Sequence, residues 1–297
     1  PMYYIEKGLG WKPLAIMFSF GLMVELVPSI MVQANSVAGS AQAAFNIPPA
    51  VTGVVVAVLV AAVVFGGIKR IGKVAEKMVP FMAMSYIVGA VIIILFNITE
   101  VPHVLYLIFK HAFVPMSAVG GFAGAGLAAI IRWGVARGSY SNEAGMGTAP
   151  MAHAAATTDH PVRQGFWGIF SVMIDTGTIC TLTALVVLTS GLWKTNISEA
   201  SKIPALAFSN VFGDTIGGGF IALALLAFVI STIIVITFYG EKQAEYLFGT
   251  TFSKFMRVVY VASIFVGAIG GAELLWKFLD ILLAGIIIPN VIAIIAL

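Results

Sequence analysis

Apolar runs of about 20 residues recur along the whole chain, and that recurrence leaves few architectures open. A helix must be roughly that long to cross the hydrocarbon core of a bilayer, and such segments fall near 14–32, 48–66, 79–97, 117–136, 166–192, 217–239, 255–271 and 279–297. With 60% hydrophobic and 10% charged residues over 297 positions, the chain cannot cover a water-facing surface, because soluble domains are about a quarter charged. Backbone in lipid must satisfy its own polar groups, so the expectation is an all-α polytopic membrane protein. It forms one integral domain over 1–297 with about eight helices. The chain opens at Pro1 without an apolar leader and ends at Leu297 inside an apolar run. A piece of a longer protein is therefore expected.

Charge placement gives an orientation. The connections at 1–13, 67–78, 157–165 and 240–254, with their flanks, carry Lys7, Lys12, Lys69, Arg70, Lys73, Lys77, Arg163, Lys242, Lys254 and Arg257, while the other set carries only Lys110, Lys194, Lys202 and Lys277. The positive-inside bias makes the first set cytoplasmic. It also accounts for the net charge of +3 with no nucleic-acid partner. The stretch 66–77 reads as a short interfacial helix ahead of Pro80, and 98–116 as an outer cap helix with Val101, Leu105, Ile108 and Phe109 on one face. Asn97-Ile98-Thr99 and Asn196-Ile197-Ser198 match the glycosylation sequon, a match too short to carry weight. Cys180, the single cysteine, lies inside a span. It reads as a small core residue with no disulfide framework.

One segment departs from the apolar pattern. Gly138-Ser139-Tyr140-Ser141-Asn142-Glu143-Ala144-Gly145 follows Arg137 directly after an apolar run, and glycine is a poor helix residue while serine and asparagine compete for backbone hydrogen bonds. The helix is expected to unwind across 138–145. Met146 to Ala156 is alanine-rich with Pro150 early, so a second helix can restart there. A half-helix start attracts a carboxylate and freed carbonyls hold a cation; a plain loop ending a helix explains the same residue types. Glu143 reads either as an ion-pair partner of Arg132 or Arg137 or as part of a site. His153 reads as an interfacial histidine.

Polar residues inside spans are expensive in hydrocarbon and default to functional hypotheses. Glu25 and Gln33 lie eight residues apart, about 80° apart around a helix, so both can face the interior beside Asn35. A substrate contact and an interhelical hydrogen bond worth roughly 0.6 kcal/mol are both open for them. Asp175, Thr176, Thr178, Thr181 and Thr183 form a polar band, for whose threonines back-bonding to carbonyls is the simpler role.

Gly8-Leu9-Gly10 after Pro1-Met2-Tyr3-Tyr4-Ile5, Val32-Gln33-Ala34-Asn35-Ser36, Arg137-Gly138-Ser139-Tyr140-Ser141-Asn142-Glu143-Ala144-Gly145, Pro161-Val162-Arg163-Gln164-Gly165 and Asp175-Thr176 closely resemble the alanine or glycine:cation symporter family, the sodium:alanine symporters. The resemblance runs over nearly the whole chain. It implies a partial leucine-transporter type fold: inverted five-helix repeats whose broken helices hold substrate and ions near the midplane. It also implies a chain beginning just before the third family helix, with the first two helices missing. On that reading the 297 residues alone do not transport.

Carried over, Tyr140, Ser141, Asn142 and Gly145 of the break approach the substrate, joined by Gln33 from the third helix. Ser231-Thr232 resembles a hydroxyl pair for sodium, since hard cations favour oxygen ligands; back-bonded hydroxyls are the alternative. Ile236, one turn beyond Thr232, stands where many members have Trp, which implies room for a larger substrate. Trp276 and Asn290 fall near the tenth family helix, where structural roles are at least as natural. Glu143 is given the structural task of holding the break.

The implied function is secondary active symport of a small neutral amino acid, alanine or glycine, coupled to sodium by alternating access across a prokaryotic cell membrane. A larger amino acid such as glutamine, or proton coupling, is the alternative. Substrate, sodium ion and lipid bilayer are the partners, with no organic cofactor. An ion channel would conduct without saturable amino-acid dependence. An enzyme is not expected, because His103, His111, His153 and His160 are scattered without ligand-type spacing.

Overall fold

The computed structural model describes residues 1–113, 123–143, 145–194, 202–271 and 273–297. Among these every regular element is helical. A short helix α1 (Met2–Gly8) precedes the long α2 (Lys12–Phe45), which begins with Pro13 in its first turn and ends on Asn46 in the left-handed conformation. At about 1.5 Å per residue its 34 residues span about 50 Å. That exceeds the bilayer core, and it is longer than the 14–32 run that signalled it. Then follow α3 (Pro49–Val64), α4 (Gly67–Phe96), α5 (Val101–Phe113), α6 (Ala123–Asn142), the one-turn α7 (Ala149–His153) and α8 (Pro161–Val172). A π-helical stretch, Met173–Cys180, joins α8 to α9 (Thr181–Thr189), and α10 (Ile203–Phe212), α11 (Gly219–Ile269) and α12 (Glu273–Ala296) complete the chain.

Among the described residues five segments are long and apolar enough to cross a membrane: Lys12–Phe45, Gly67–Phe96, Pro161–Thr189, Asp214–Ile269 and Leu274–Ala296. The fourth folds back on itself as a helical hairpin. Gly240 and Tyr260 would lie about 30 Å apart on one straight helix, yet a Cβ at Gly240 would meet the Tyr260 ring at 2.4 Å. The reversal is at Gly249, with φ 83° and ψ 177°, a conformation essentially reserved for glycine. Arg257 returns onto Glu241 with two hydrogen bonds of 2.6 and 2.7 Å and closes the hairpin.

Buried α2 is the central post. It packs against both arms of α11, and the approach is close because small residues permit it: a Cβ on Gly267 would stand 2.4 Å from Met31 Cα, and one on Gly53 of α3 would stand 2.7 Å from Ala268 Cβ. Tyr260 donates to the Met23 carbonyl at 2.9 Å, and Asn35 donates to the Gly270 carbonyl at 2.6 Å where α11 ends. Asn35 therefore has a structural partner. A second apolar cluster joins Tyr86 and Ile93 of α4 to Val186 of α9, Phe208 of α10 and Ile221 of α11.

Three local expectations are revised. Residues 66–77 are not a separate interfacial helix, because the helix runs on through Pro80 to Phe96; only the amide of Pro80 is lost to the ladder, and lipid-facing backbone has no better partner. The cap helix α5 forms, but Leu105, Ile108 and Phe109 are exposed while Val104 is buried, so the apolar face is turned outward. The unwinding begins five residues later than Gly138: α6 stays helical to Asn142, and the break spans Glu143 to Thr148. The sequon at 196–198 lies outside the described residues.

Candidate functional site

Three described residues of the break are left-handed. Glu143, Gly145 and Gly147 have φ of 55°, 73° and 76°, conformations that cost little only for glycine. The two glycines are held from outside. The Gly145 carbonyl accepts from Asn290 Nδ2 at 2.8 Å, and the Tyr4 hydroxyl donates to Asn290 Oδ1. A Cβ on Gly147 would lie 2.5 Å from Pro1 and 3.0 Å from Asn290 Oδ1. Across the break the Thr148 hydroxyl donates to the Glu143 carboxylate. Helices α1 and α12 thus clamp one side of the turn. Tyr4 lies in α1, outside the spanning helices, and burial pushes its hydroxyl up to about 12, against the opposing pull of the Asn290 bond.

The other side of the break faces a cavity of about 480 Å³. Helix α2 supplies Glu25, Ser29 and Gln33; α6 and the break supply Tyr140, Ser141, Asn142, Glu143 and Thr148; the π segment supplies Asp175; and α11 supplies Thr232 and Ile236. Glu25, Ser29 and Gln33 are spaced by four and so form one stripe. The Tyr140 hydroxyl and Ser29 Oγ share a 2.7 Å hydrogen bond, and Ser141 Oγ lies 3.3 Å from Cys180 Sγ. Cys180 is thus a neighbour of the cavity rather than a core residue. π-helical turns recur at functional sites; in this one Thr178, and just beyond it Thr181, bond carbonyls five residues back at 3.5 and 3.4 Å.

One turn before Tyr140, Arg137 leaves the cavity for α12. Its Nη2 donates to both carboxylate oxygens of Asp280 at 3.0 and 3.1 Å, and its guanidinium lies over the Trp276 and Trp133 rings at 4.2 and 4.9 Å. Tyr140 meets Trp276 edge-on with ring centroids 5.7 Å apart. Trp276 therefore joins the ion pair to the cavity wall.

Most of the expected site residues converge. Gln33, Tyr140, Ser141, Asn142, Thr232 and Ile236 line the one cavity. Two do not. Gly145 is turned to α12, where a Cβ would meet Val291 at 3.2 Å, because its carbonyl is taken by Asn290. Ser231 is buried against Met82 of α4, 3.7 Å from its sulfur, since the residue before Thr232 faces about 100° away around the helix. Both hydroxyls of that pair bond the Phe228 carbonyl, at 2.7 and 2.9 Å. Glu143 pairs with neither arginine expected for it: Arg137 is held by Asp280, and the Arg132 side chain lies outside the described residues. His153 bonds Gln164 at 2.6 Å, and His160 Nδ1 caps α8 by accepting from the Val162 amide. Ser29 and Thr148 were not foreseen. The eight-residue interval between Glu25 and Gln33 contains the signal for Ser29, which lies one turn from each; Thr148 needed the fold of the break.

Apolar helices long enough to cross a membrane thus enclose a polar cavity beside a broken helix. The profile of the sodium:alanine symporter family matches residues 1–297, and the chain belongs to that family. It is 52% identical to the uncharacterized transporter YflA of Bacillus subtilis (strain 168), over 100% of this chain and 63% of that protein. It is 40% identical to the putative sodium/proton-dependent alanine carrier protein YrbD of the same organism, over 100% of this chain and 64% of that protein. It is 36% identical to the probable sodium/glutamine symporter GlnT, also from Bacillus subtilis, over 99% of this chain and 61% of that protein. The chain thus spans less than two thirds of the length of these relatives.

Proposed function

We propose that the full-length protein is a secondary symporter that imports a small neutral amino acid with sodium by alternating access, on a leucine-transporter type fold of which this chain carries about eight passes. The observation that carries the reading is the shared cavity, where a helix break, a stripe of α2 and one turn of α11 converge on groups suited to a zwitterion. Ser141, Asn142 and Gln33 supply neutral hydrogen-bonding groups, and Ile236 borders the space for the side chain. The sodium in the family description supports the coupling ion.

A larger neutral substrate is favoured by one residue. Ile236 is nearly fully buried on the cavity wall, where an indole would fill more of the space, and one relative carries the name of a glutamine symporter. Radiolabelled alanine, glycine and glutamine uptake by the full-length protein in liposomes, with and without an inward sodium gradient, tests both readings. Absence of sodium-stimulated accumulation for all three would refute symport of this class. A preference for alanine over glutamine would refute the larger substrate.

A further inference from the structure

Helix α4 changes character at one point. From Met78 to Phe96 it carries no charged residue, whereas the stretch before it holds Lys69, Arg70, Lys73 and Lys77 against the single acid Glu76. At about 1.5 Å per residue the uncharged part is about 28 Å long, close to the roughly 30 Å of a hydrocarbon core. Lys77 then stands at the edge of the core, Lys73 about 6 Å beyond it and Lys69 about 12 Å beyond it. The headgroup layer on either side is about 5–8 Å deep. Lys73 and Lys77 therefore lie at the depth of the lipid phosphates, with Lys69 and Arg70 at the outer margin.

The same four cations share one face. At about 100° per residue, Lys69, Lys73, Lys77 and Arg70 fall within an arc of about 100°, and Ile71 lies about 150° from its centre. Ile71 is buried in the apolar cluster formed with α2, α3 and α11, so this packed residue turns the basic arc away from the protein. Lys73 and Lys77 are one turn apart, with Cβ atoms about 5–6 Å from each other. Together with Val74, Glu76, Met78 and Phe81 they line a surface groove of about 770 Å³. Its cationic end is at phosphate depth, and its apolar end runs into the core, where Phe81 is 77% exposed.

We propose that this face of α4 is a binding site for an anionic phospholipid of the cytoplasmic leaflet, with the phosphate between Lys73 and Lys77 and an acyl chain along Met78 and Phe81. An excess of cations orients a helix wherever they sit around it; their alignment at one depth above an apolar floor is what fits a lipid. Basic clusters immediately cytoplasmic of a membrane helix attract anionic headgroups. Lys73, Lys77 and Glu76 leave the groove with one net positive charge, the complement of a phosphodiester. In phosphatidylcholine the choline cancels the phosphate charge and is repelled by Lys69 and Arg70. In phosphatidylglycerol the charge stands alone, and the glycerol hydroxyls are donors for Glu76.

The test is thermal unfolding of the purified full-length protein in detergent at constant ionic strength, with dioleoyl phosphatidylglycerol, dioleoyl phosphatidylcholine or inorganic phosphate added. A ligand that binds only the folded state raises the unfolding midpoint as its concentration exceeds its Kd. Phosphatidylglycerol should raise the wild-type midpoint, and phosphatidylcholine and inorganic phosphate should not. Lys73→Gln combined with Lys77→Gln should weaken the apparent phosphatidylglycerol affinity by about 30-fold, about fivefold for each lysine. Lys73→Arg combined with Lys77→Arg should keep it. Lys110→Gln combined with Lys194→Gln removes the same charge from the outer connections and should leave it unchanged. If the first pair does not fold, Lys73→Gln or Lys77→Gln alone should show the fivefold loss.

Equal stabilisation by the two lipids overturns the proposal, because acyl packing alone would then explain it. Equal stabilisation by inorganic phosphate overturns it too, since the site would then take a free anion. Full phosphatidylglycerol stabilisation in the Lys73→Gln and Lys77→Gln pair, or in the single variants where only those fold, removes α4 from lipid recognition. An equal loss in the Lys110→Gln and Lys194→Gln pair would reduce the effect to net charge and sink the site. None of these outcomes depends on what the protein transports.

Discussion

Replacing Asp280 by asparagine keeps the size of the side chain and removes the anion that holds Arg137. The guanidinium would then sit between Trp133 and Trp276 with its ion pair gone, and its Nη1 already lacks a hydrogen-bond partner. Breaking a fully buried pair costs about 3–5 kcal/mol. Here 29% of the Arg137 and 17% of the Asp280 side chain are exposed, so we expect a loss of about 1–3 kcal/mol, the worth of a charge-assisted hydrogen bond. If α6 and α12 are held together over the cavity by this pair, that energy is taken from the closed state. The open population should then rise by about 5-fold to 150-fold. Cys180 reports it, because its sulfur lies 3.3 Å from the Ser141 hydroxyl on the cavity wall. In the full-length protein, with any other cysteines removed, Asp280→Asn should speed labelling of Cys180 by a small polar thiol reagent within that range. Asp280→Asn combined with Arg137→Gln should show a coupling energy in a double-mutant cycle. Unchanged labelling together with zero coupling would show that the pair has no part in closing the cavity.

Ile236→Trp should reduce glutamine uptake relative to alanine by roughly 10-fold to 200-fold, since differences of a methylene or so in an apolar pocket are worth about 1–3 kcal/mol; competition assays with both amino acids measure it, and an unaltered ratio would remove Ile236 from the selectivity wall. Tyr4→Phe strips the clamp on Asn290 of one hydrogen bond and should lower stability by about 1 kcal/mol. Burial raises the Tyr4 hydroxyl from 10.0 to about 12, so this stabilisation is full below pH 10 and fades as pH climbs through 12; a constant gap between wild type and variant across that window in thermal melts counts against it. Gly267→Ala places a Cβ 2.4 Å from Met31 Cα, a collision with backbone that cannot be relieved by a rotamer. It should abolish monodisperse protein in size-exclusion chromatography, whereas Gly285→Ala, with nothing within 4 Å, should not.

The residues of the cavity were legible to the extent that they follow helix geometry. Glu25 and Gln33 are expensive in lipid wherever they lie, and their spacing placed them on adjoining parts of α2. Thr232 and Ile236 followed from a four-residue step. What was not legible depended on neighbours remote in sequence. Ser231 and Thr232 look alike as a pair of hydroxyls, and only the packing of α4 beside α11 turns the first to Met82 and leaves the second on the cavity. Gly145 looked like a binding residue because it sits in the break, but the far end of the chain occupies its carbonyl through Asn290. The reversal at Gly249 was expected as a loop between two spans, and the chain makes it with helix on both sides of one residue.

The position of the break shows why local propensity misjudged it. Gly138, Ser139 and Ser141 are weak helix formers, and taken alone they unwind the chain five residues too early. In the folded protein the same turn carries Arg137 to Asp280 and Trp276, and Tyr140 to Ser29. These contacts need both side chains on one helical face, so they hold residues 138–142 in the helix against their propensity. The chain can leave the helix only after the last of them, and it does so at Glu143, where a left-handed residue is followed by Gly145 and Gly147. Moving the break to that point puts a carboxylate on the cavity that Glu25 also lines, where an unwinding at Gly138 would have left a glycine. A variant that draws the break back, such as Ser139→Pro, which removes an amide inside α6, should therefore displace Glu143 from the cavity. The full-length variant should lose amino-acid uptake in liposomes, and unchanged uptake would separate the position of the break from substrate binding.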